Sequence, residues 1–270
     1  LKESPLPEPS PAGRKSPADS SISFDNVTFT YDGAARPALM NVRFHLPQGA
    51  AYALVGPSGG GKSTIARLIP RFFDVQEGAV LVGGQDVRSI PGAELMEQIS
   101  FVFQEVHLFK KSIRDNIRAA RPNATEEEIL HAAHLAQCGD ILEKIPGGLD
   151  AVIGAKGVYL SGGEMQRIAL ARAILKDAPI VVLDEASSFA DPENEVKIQK
   201  AFEALMKGKT VLMIAHRLST VRRMDRILVV KKGVVVEEGK HDELIEKDGV
   251  YASMWEEYQS AAQWKVGGEE

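Results

Sequence analysis

One glycine-rich stretch that ends in a lysine and two hydroxyl residues has the clearest chemical potential in the sequence. It consists of Gly56, Pro57, Ser58, Gly59, Gly60, Gly61, Lys62, Ser63 and Thr64. The spacing fits G-x-x-x-x-G-K-[ST], in which backbone N–H groups surround a polyphosphate. The lysine then reaches the β- and γ-phosphates, and the hydroxyl that follows it ligates Mg²⁺. The stretch predicts a nucleoside triphosphate site; the alternative is a flexible turn that happens to precede a lysine.

Two carboxylates follow a short run of β-branched and apolar residues. The run starts at Ile180, and Asp184 and Glu185 come at its end. Such a run is typical of a central parallel strand buried on both faces, and α/β sheets bind ligands at the carboxyl ends of their strands. We therefore predict that Asp184 holds the Mg²⁺ shell and that Glu185 orients or deprotonates the attacking water. The alternative is a strand that merely ends in solvated acids.

An aromatic residue and a histidine stand at two other predicted strand ends. Tyr31 could stack on a purine base, although a half-buried strand tyrosine is the alternative interpretation. His216 follows the apolar run 210–215 and could donate to a γ-phosphate oxygen, or serve a purely structural role.

A second glycine pair opens a predicted helix. Ser161 and Glu164 have the spacing of a capping box, and Gly162 and Gly163 lie between them. The same geometry leaves N–H groups at a helix N-terminus, where they could receive a phosphate. Both interpretations can hold together.

Apolar periodicity predicts the elements that position these groups. Ala51–Val55 indicates a buried strand before the glycine loop, and 227–237 indicates a hairpin that turns at Lys232 and Gly233. Helical spacing follows Lys62, at Ile65, Leu68, Ile69 and Phe72. Residues 105–175 are polar-rich and predict a helical lobe inserted in the α/β core. His131 and His134 lie on one of its helices, and two histidines without a third ligand do not predict a metal site.

Composition limits the possible partners and compartments. The chain has 270 residues and a net charge of −5, which argues against a nucleic-acid surface. Cys138 is its only cysteine, so a reducing compartment is expected. No apolar stretch approaches the ~20 residues that span a bilayer.

Residues 1–20 contain five prolines among Ser, Glu and Lys. They predict a flexible linker from an upstream domain, or equally a disordered tail.

In this order the motifs resemble the nucleotide-binding domain of ABC transporters, over nearly everything from Ile22 to Tyr258. The resemblance implies an α/β fold: a P-loop NTPase (RecA-like) core with an antiparallel β subdomain and an inserted helical subdomain. It places the domain at 21–264, the helical subdomain at about 105–175, the linker at 1–20 and a tail at 265–270.

The resemblance also assigns roles to individual residues. It implies an adenine-stacking Tyr31, a Walker A loop at 56–64, a Q-loop glutamine at Gln104, the LSGGE signature at 160–164, a Walker B Asp184, a catalytic Glu185, a D-loop at 188–191 and a switch histidine at His216. Glu185, His216 and Gln104 are then the catalytic residues, and Ser63, Gln104 and Asp184 the Mg²⁺ ligands. ATP contacts come from Tyr31, the Walker A loop and the four residues Ser161 to Glu164.

Three local features refine the resemblance. The run Phe109 to Ile117 looks like domains of exporter-type half-transporters, in which this domain follows a membrane region. Residues 154–157 lack the acid of the Gly-Glu-Arg-Gly often found before the signature, and Ala190 replaces the usual D-loop leucine. Residues 189–195 resemble a subset of bacterial half-transporters linked to siderophore uptake.

The resemblance implies an ATPase that dimerises around two ATP molecules and powers translocation by a transmembrane domain. Its partners would be a second nucleotide-binding domain, in a homodimer or heterodimer, and the transmembrane domain of the same transporter. No nucleic-acid partner is expected. The domain would contact the membrane only through the transmembrane domain, at the cytoplasmic face of a bacterial inner membrane.

The alternative is a non-transport ABC ATPase, of the chromosome-maintenance or ribosome-associated type. The first needs a long coiled coil between Lys62 and Ser161, where no sustained heptads occur, and the second needs two such domains. The transported substrate and its direction are not encoded in these motifs.

Overall fold

The computed structural model describes residues 6–154, 157–184, 192–215 and 218–266. Within these ranges the strands are β1 (Ile22–Phe29), β2 (Leu39–Leu46), β3 (Ala51–Val55), β4 (Glu77–Val82), β5 (Gln85–Asp86), β6 (Ile99–Val102), β7 (Ile180–Asp184), β8 (Thr210–Ile214), β9 (Arg226–Lys231) and β10 (Val234–Gly239). The α-helices are α1 (Lys62–Leu68), α2 (Gly92–Gln98), α3 (Ile113–Arg118), α4 (Glu126–Leu135), α5 (Gly139–Lys144), α6 (Gly162–Lys176), α7 (Pro192–Met206), α8 (Leu218–Val221), α9 (His241–Glu246) and α10 (Val250–Val266). The chain forms two compact units: the first comprises Leu1–Gln98 and Thr210–Glu270, and the second comprises Ile99–Lys209.

The first unit contains an antiparallel sheet in the order β2-β1-β4-β5. Phe24 and Val27 both face inward although they are three residues apart, which breaks the period of two expected in a strand. A register irregularity between them, with Asn26 at φ 51°, restores the inward direction of Val27. The stacked rings of Phe24 and Phe44, 4.7 Å apart, tie the two neighbouring strands together.

The first unit also contains the strands that carry the glycine loop, in the order β10-β9-β3-β8. Strand β3 pairs in parallel with both β8 and β9, and its residues from Tyr52 to Val55 are buried. The predicted buried strand before the loop is therefore confirmed. Strands β9 and β10 form the predicted hairpin and turn at Lys232 and Gly233.

Residues 6–20 make specific contacts within the first unit. The backbone N–H of Ala18 donates to Gly83 O at 3.1 Å. Arg71 donates to Pro7 O at 2.9 Å, and the Glu8 carboxylate accepts from the N–H of Gly92 at the start of α2. Proline-rich composition predicted a flexible linker here and revealed none of these hydrogen bonds.

The second unit places helices around a parallel pair of strands. Strands β6 and β7 align Ile99 with Ile180 and Val102 with Leu183, and β7 is buried throughout. The predicted central parallel strand is therefore confirmed. Helix α6 packs against α3, α4 and α7. Among the described residues, no helix combines the length and the apolar character needed to cross a bilayer.

Candidate nucleotide site

The glycine loop joins β3 to α1 in the first unit, and Lys62 is the first residue of the helix. Its side chain is folded back over the loop, because Nζ donates to Gly56 O at 2.7 Å and to Pro57 O at 2.9 Å. The residue is only 7% exposed. A buried ammonium and the backbone N–H groups of a glycine-rich turn can together bind the negatively charged phosphates of a nucleotide.

The glycines of this loop are required for two separate reasons. A Cβ at Gly56 would lie 2.1 Å from the carbonyl oxygen of Val230 on β9, and one at Gly60 would lie 2.7 Å from the same atom. Close packing on β9 therefore excludes any side chain at these two positions. Gly59 has open space around it, but its φ of +72° is a conformation that L side chains rarely adopt.

Tyr31 lies beside the end of the loop. Its hydroxyl is 3.1 Å from the Thr64 Oγ1 atom, and its ring makes edge contacts with Phe29 and Phe73. The side chain is half-buried. The structure thus brings together Tyr31 and the glycine loop, two predicted ATP contacts separated by some thirty residues in the sequence.

Gln104 and Asp184 belong to the second unit: Gln104 follows β6, and Asp184 is the last residue of the neighbouring parallel strand β7. Because Val102 aligns with Leu183, both residues come at the same carboxyl edge of the β6–β7 pair. Gln104 is exposed, and Asp184 is 8% exposed. The third predicted Mg²⁺ ligand, Ser63, belongs to the first unit. Among the described residues, no three His, Cys, Asp or Glu side chains form a metal-binding group.

Ser161 and Glu164 form the predicted capping box at the start of α6. The Ser161 Oγ accepts from the N–H of Glu164 at 3.2 Å, and the Glu164 carboxylate accepts from the N–H of Ser161 at 2.7 Å. Burial alone would raise the pKa of Glu164, but these bonds and the Lys144 ammonium hold it below its usual value. Ser161 and Gly162 are exposed, so the cap is complete while its outer surface is open.

Several predicted residues lie outside the part of the chain that the structure describes. They are Glu185, His216 and the D-loop residues 188–191. Their roles stay predictions.

The second unit also contains an apolar cavity of about 570 Å³ that was not predicted. Phe103 and Phe109 line it and are 48% and 55% exposed. The Arg172 guanidinium lies 5.3 Å from the centre of the Phe109 ring, and burial lowers its pKa. The sequence does contain an indication of this cavity, because Phe101 lies in β6 and Phe103 directly follows it, two residues apart. In the structure the centres of the two rings are 4.3 Å apart.

The sequence profile of the ABC transporter family matches residues 39–188, more than half of the chain. The chain belongs to the ABC transporter family. This result confirms the recognition made from the glycine loop and the signature, and with it the α/β P-loop fold and an ATPase domain of the ABC type.

The most informative relatives are flippases and an exporter. The ATP-dependent lipid A-core flippase of Escherichia coli (strain K12) is 50% identical over 238 residues, which cover 88% of this chain and 41% of the flippase. The flippase of the same name from Sodalis glossinidius (strain morsitans) is 50% identical over 234 residues, covering 86% and 40%. A solved bacterial Atm1-family ABC exporter with ATP bound superposes with a TM-score of 0.86 at 39% identity, covering 93% of this chain and 44% of that one.

This ABC domain spans about two fifths of the length of the curated relatives it matches. All three relatives are exporters or flippases, which agrees with the exporter-type resemblance of Phe109 to Ile117. They do not favour the chromosome-maintenance or ribosome-associated alternative. They also give no support to the link with siderophore uptake.

Proposed function

We propose that this ABC domain is the motor of an exporter-type transporter, which binds and hydrolyses ATP to drive translocation by an attached transmembrane domain. The observation that carries the proposal is the buried Lys62, whose ammonium donates to two backbone carbonyls of the glycine loop. A cation at this depth provides the charge that a triphosphate needs, and the loop N–H groups add hydrogen bonds.

Within this proposal the remaining groups divide the chemistry between them. Ser63, Gln104 and Asp184 would hold Mg²⁺, which when bound neutralises charge on the phosphates. Hydroxyl, amide and carboxylate oxygens are ligands that Mg²⁺ prefers. Glu185 would take the proton of the attacking water, and His216 and Gln104 would contact the γ-phosphate and the water.

Exposure of the signature supports a dimer as the active form. The capping box uses Ser161 Oγ as an acceptor, and the hydroxyl proton can still be donated outward. In the proposed dimer Ser161 and its glycines cover the ATP held by the glycine loop of a second copy. Two ATP molecules would then be enclosed by two chains, because one glycine loop leaves the γ-phosphate open on one side.

The apolar cavity supports a transmembrane domain as the second partner. Exposed aromatic side chains such as Phe103 and Phe109 are expected to be covered in the working protein. The relatives are more than twice as long as this chain, so they have further sequence that could supply the cover. We propose the boundaries 21–264 for the motor, with the helical subdomain at about 105–175, a linker at 1–20 and a tail at 265–270. The motor would lie at the cytoplasmic face of a bacterial inner membrane.

The names of the relatives bear on the class of substrate. Two of them are lipid A-core flippases, so we propose a flippase-type exporter of an amphipathic lipid. The matched region is the motor, which makes no substrate contact in this proposal, so the identity of the lipid is not specified.

The test is phosphate release by the full-length protein that carries this chain, reconstituted in liposomes. Lys62→Ala should abolish ATP binding, whereas Lys200→Ala, an exposed lysine on α7, should leave binding unchanged. Glu185→Gln should lower turnover by roughly 10²–10⁴-fold and retain ATP binding, and Glu256→Gln is its exposed control. Phosphate release at the wild-type rate by Glu185→Gln would refute the proposed role of Glu185 in hydrolysis. ATP binding at the wild-type level by Lys62→Ala would refute the proposed role of the glycine loop in binding ATP.

A further inference from the structure

A buried arginine ties three helices of the second unit together. Arg167 on α6 is 1% exposed, and its guanidinium donates to both carboxylate oxygens of Asp140 on α5, at 2.6 and 3.2 Å. It also donates to the Gln137 carbonyl and, at 2.9 Å, to Asn194 Oδ1 on α7. The planar guanidinium holds several acceptors at fixed angles, so it sets both distance and orientation between the helices.

Asn194 contacts α6 at a second point. A Cβ at Gly163 would lie 3.1 Å from both Cβ and Cγ of Asn194, so the asparagine side chain packs directly on the α6 backbone. Residues 163 and 167 are four apart and share one face of the helix. The Asn194 side chain therefore fits between Gly163 and Arg167, within the first two turns of α6.

This contact joins two parts of the sequence that carry predicted chemistry. Ser161 and Gly162 begin α6 and are exposed. Asn194 is the third residue of α7, the helix that directly follows residues 185–191, where Glu185 is found. The contact of Asn194 with Gly163 and Arg167 thus fixes the N-terminal end of α6 relative to α7.

We propose that Asn194 is a positioning residue for ATP hydrolysis: held by Arg167 and Gly163, it keeps the signature end of α6 in register with α7. The inference rests on the proposed function, because it assumes that Ser161 meets an ATP on a second copy. Asn194 itself touches no nucleotide. Its loss changes how two copies close on ATP and leaves ATP binding by the glycine loop of each copy intact.

The experiment compares Asn194→Leu with wild type in the full-length protein in liposomes. Leucine has nearly the same shape but lacks the acceptor for Arg167. We expect kcat to fall about tenfold, the loss associated with one hydrogen bond to a charged group, with ATP binding within about twofold of wild type. Asn194→Asp retains the acceptor oxygen and should restore kcat. Asn123→Leu makes the same chemical change at an exposed loop position of the same unit and should have no effect.

Each outcome decides for or against the proposal. A folded Asn194→Leu protein with wild-type kcat overturns it, as does an Asn194→Asp protein that is as slow as Asn194→Leu. If Asn194→Leu does not fold, Asn194→Ala is used, which also lacks the acceptor, and the same loss of kcat without loss of ATP binding is expected. Glu185→Gln, measured in parallel, separates the two hypotheses. Full turnover by Glu185→Gln refutes the proposed function, whereas a blocked Glu185→Gln with a wild-type Asn194→Leu refutes only the role of Asn194.

Discussion

Asp140→Asn tests the ion pair that holds Arg167 in place. Asp140 accepts from Arg167 and, at 2.9 Å, from Lys197 Nζ. Burial alone would raise the pKa of Asp140, but the hydrogen bonds from Arg167 and Lys197 lower it to about 2. Asparagine has nearly the same shape and lacks the charge, so the substitution removes the ionic part of the contact and keeps most of the packing.

The expected loss of stability follows from the pKa. A fall from 3.8 to about 2 corresponds to roughly 2.4 kcal/mol at neutral pH. The Asp140 side chain is 45% exposed, so solvent screening reduces this to about 1 kcal/mol. The pKa of Asp140 is lower in the folded state than in the unfolded state. The charged carboxylate therefore contributes to stability above about pH 3.8, and this contribution is lost as the pH falls toward 2.

Urea unfolding followed by circular dichroism measures this difference. At neutral pH the midpoint of Asp140→Asn should lie roughly 0.4 M below that of wild type. The gap should persist at about pH 5 and narrow below about pH 4. The control is Asp150→Asn, which removes a similar two-bond pair with Arg114, 2.9 and 3.2 Å long, from an aspartate that is 73% exposed. It should leave the midpoint unchanged.

Two results would refute the reasoning about Asp140. One is equal midpoints for the Asp140 and Asp150 variants, which would mean that the buried guanidinium gains nothing from its carboxylate. The other is a gap that does not change with pH, which would mean that the effect comes from packing and not from charge.

Three further predictions concern the first unit and the buried thiol. Gly56→Ala should abolish ATP binding, because its Cβ would lie 2.1 Å from Val230 O; normal binding would show that the loop can move off β9. Burial lowers the pKa of His241, which is 2.7 Å from the Tyr251 hydroxyl, so its contribution to stability is present above about pH 6.5 and is lost as pH falls below it. When the pH is lowered from about 7.5 to about 5.5, the melting temperature of His241→Asn should therefore fall less than that of wild type. An equal fall in both proteins would contradict this prediction. Burial raises the pKa of Cys138 to about 12, so iodoacetamide should modify it only on unfolding; rapid modification of the folded protein would show that the thiol is accessible.

Local patterns predicted those features that depend on neighbouring residues in the sequence. The runs at 51–55 and 180–183 form strands that are buried almost throughout, because neither run contains a charged side chain. The Ser161 capping box follows from a spacing of three residues, and the hairpin turn follows from Lys232 and Gly233. The hydrogen-bond partners of the capping box and of the hairpin turn lie within a few residues of one another. The two strands pair with distant residues and were predicted from their apolar side chains alone.

Features that depend on distant contacts could not be predicted in this way. The need for glycine at position 56 comes from Val230, and the binding of Arg167 comes from Asp140 and Asn194. A buried arginine on the apolar face of a helix gives no indication of which acceptors it will meet. The glycine-loop motif therefore predicts where the nucleotide site lies, whereas the contacts of Gly56 and of Arg167 required the structure.

Chemical cross-linking between two copies tests the central claim most directly, namely that one chain's glycine loop and another chain's signature hold the same ATP. Ser58→Cys and Ser161→Cys would be combined with Glu185→Gln in the full-length protein, where the native Cys138 is buried. With ATP and Mg²⁺, a short bis-maleimide should join two chains into a species of twice the mass, and with ADP it should not. Equal yields with both nucleotides, or cross-links only within one chain, would contradict the claim.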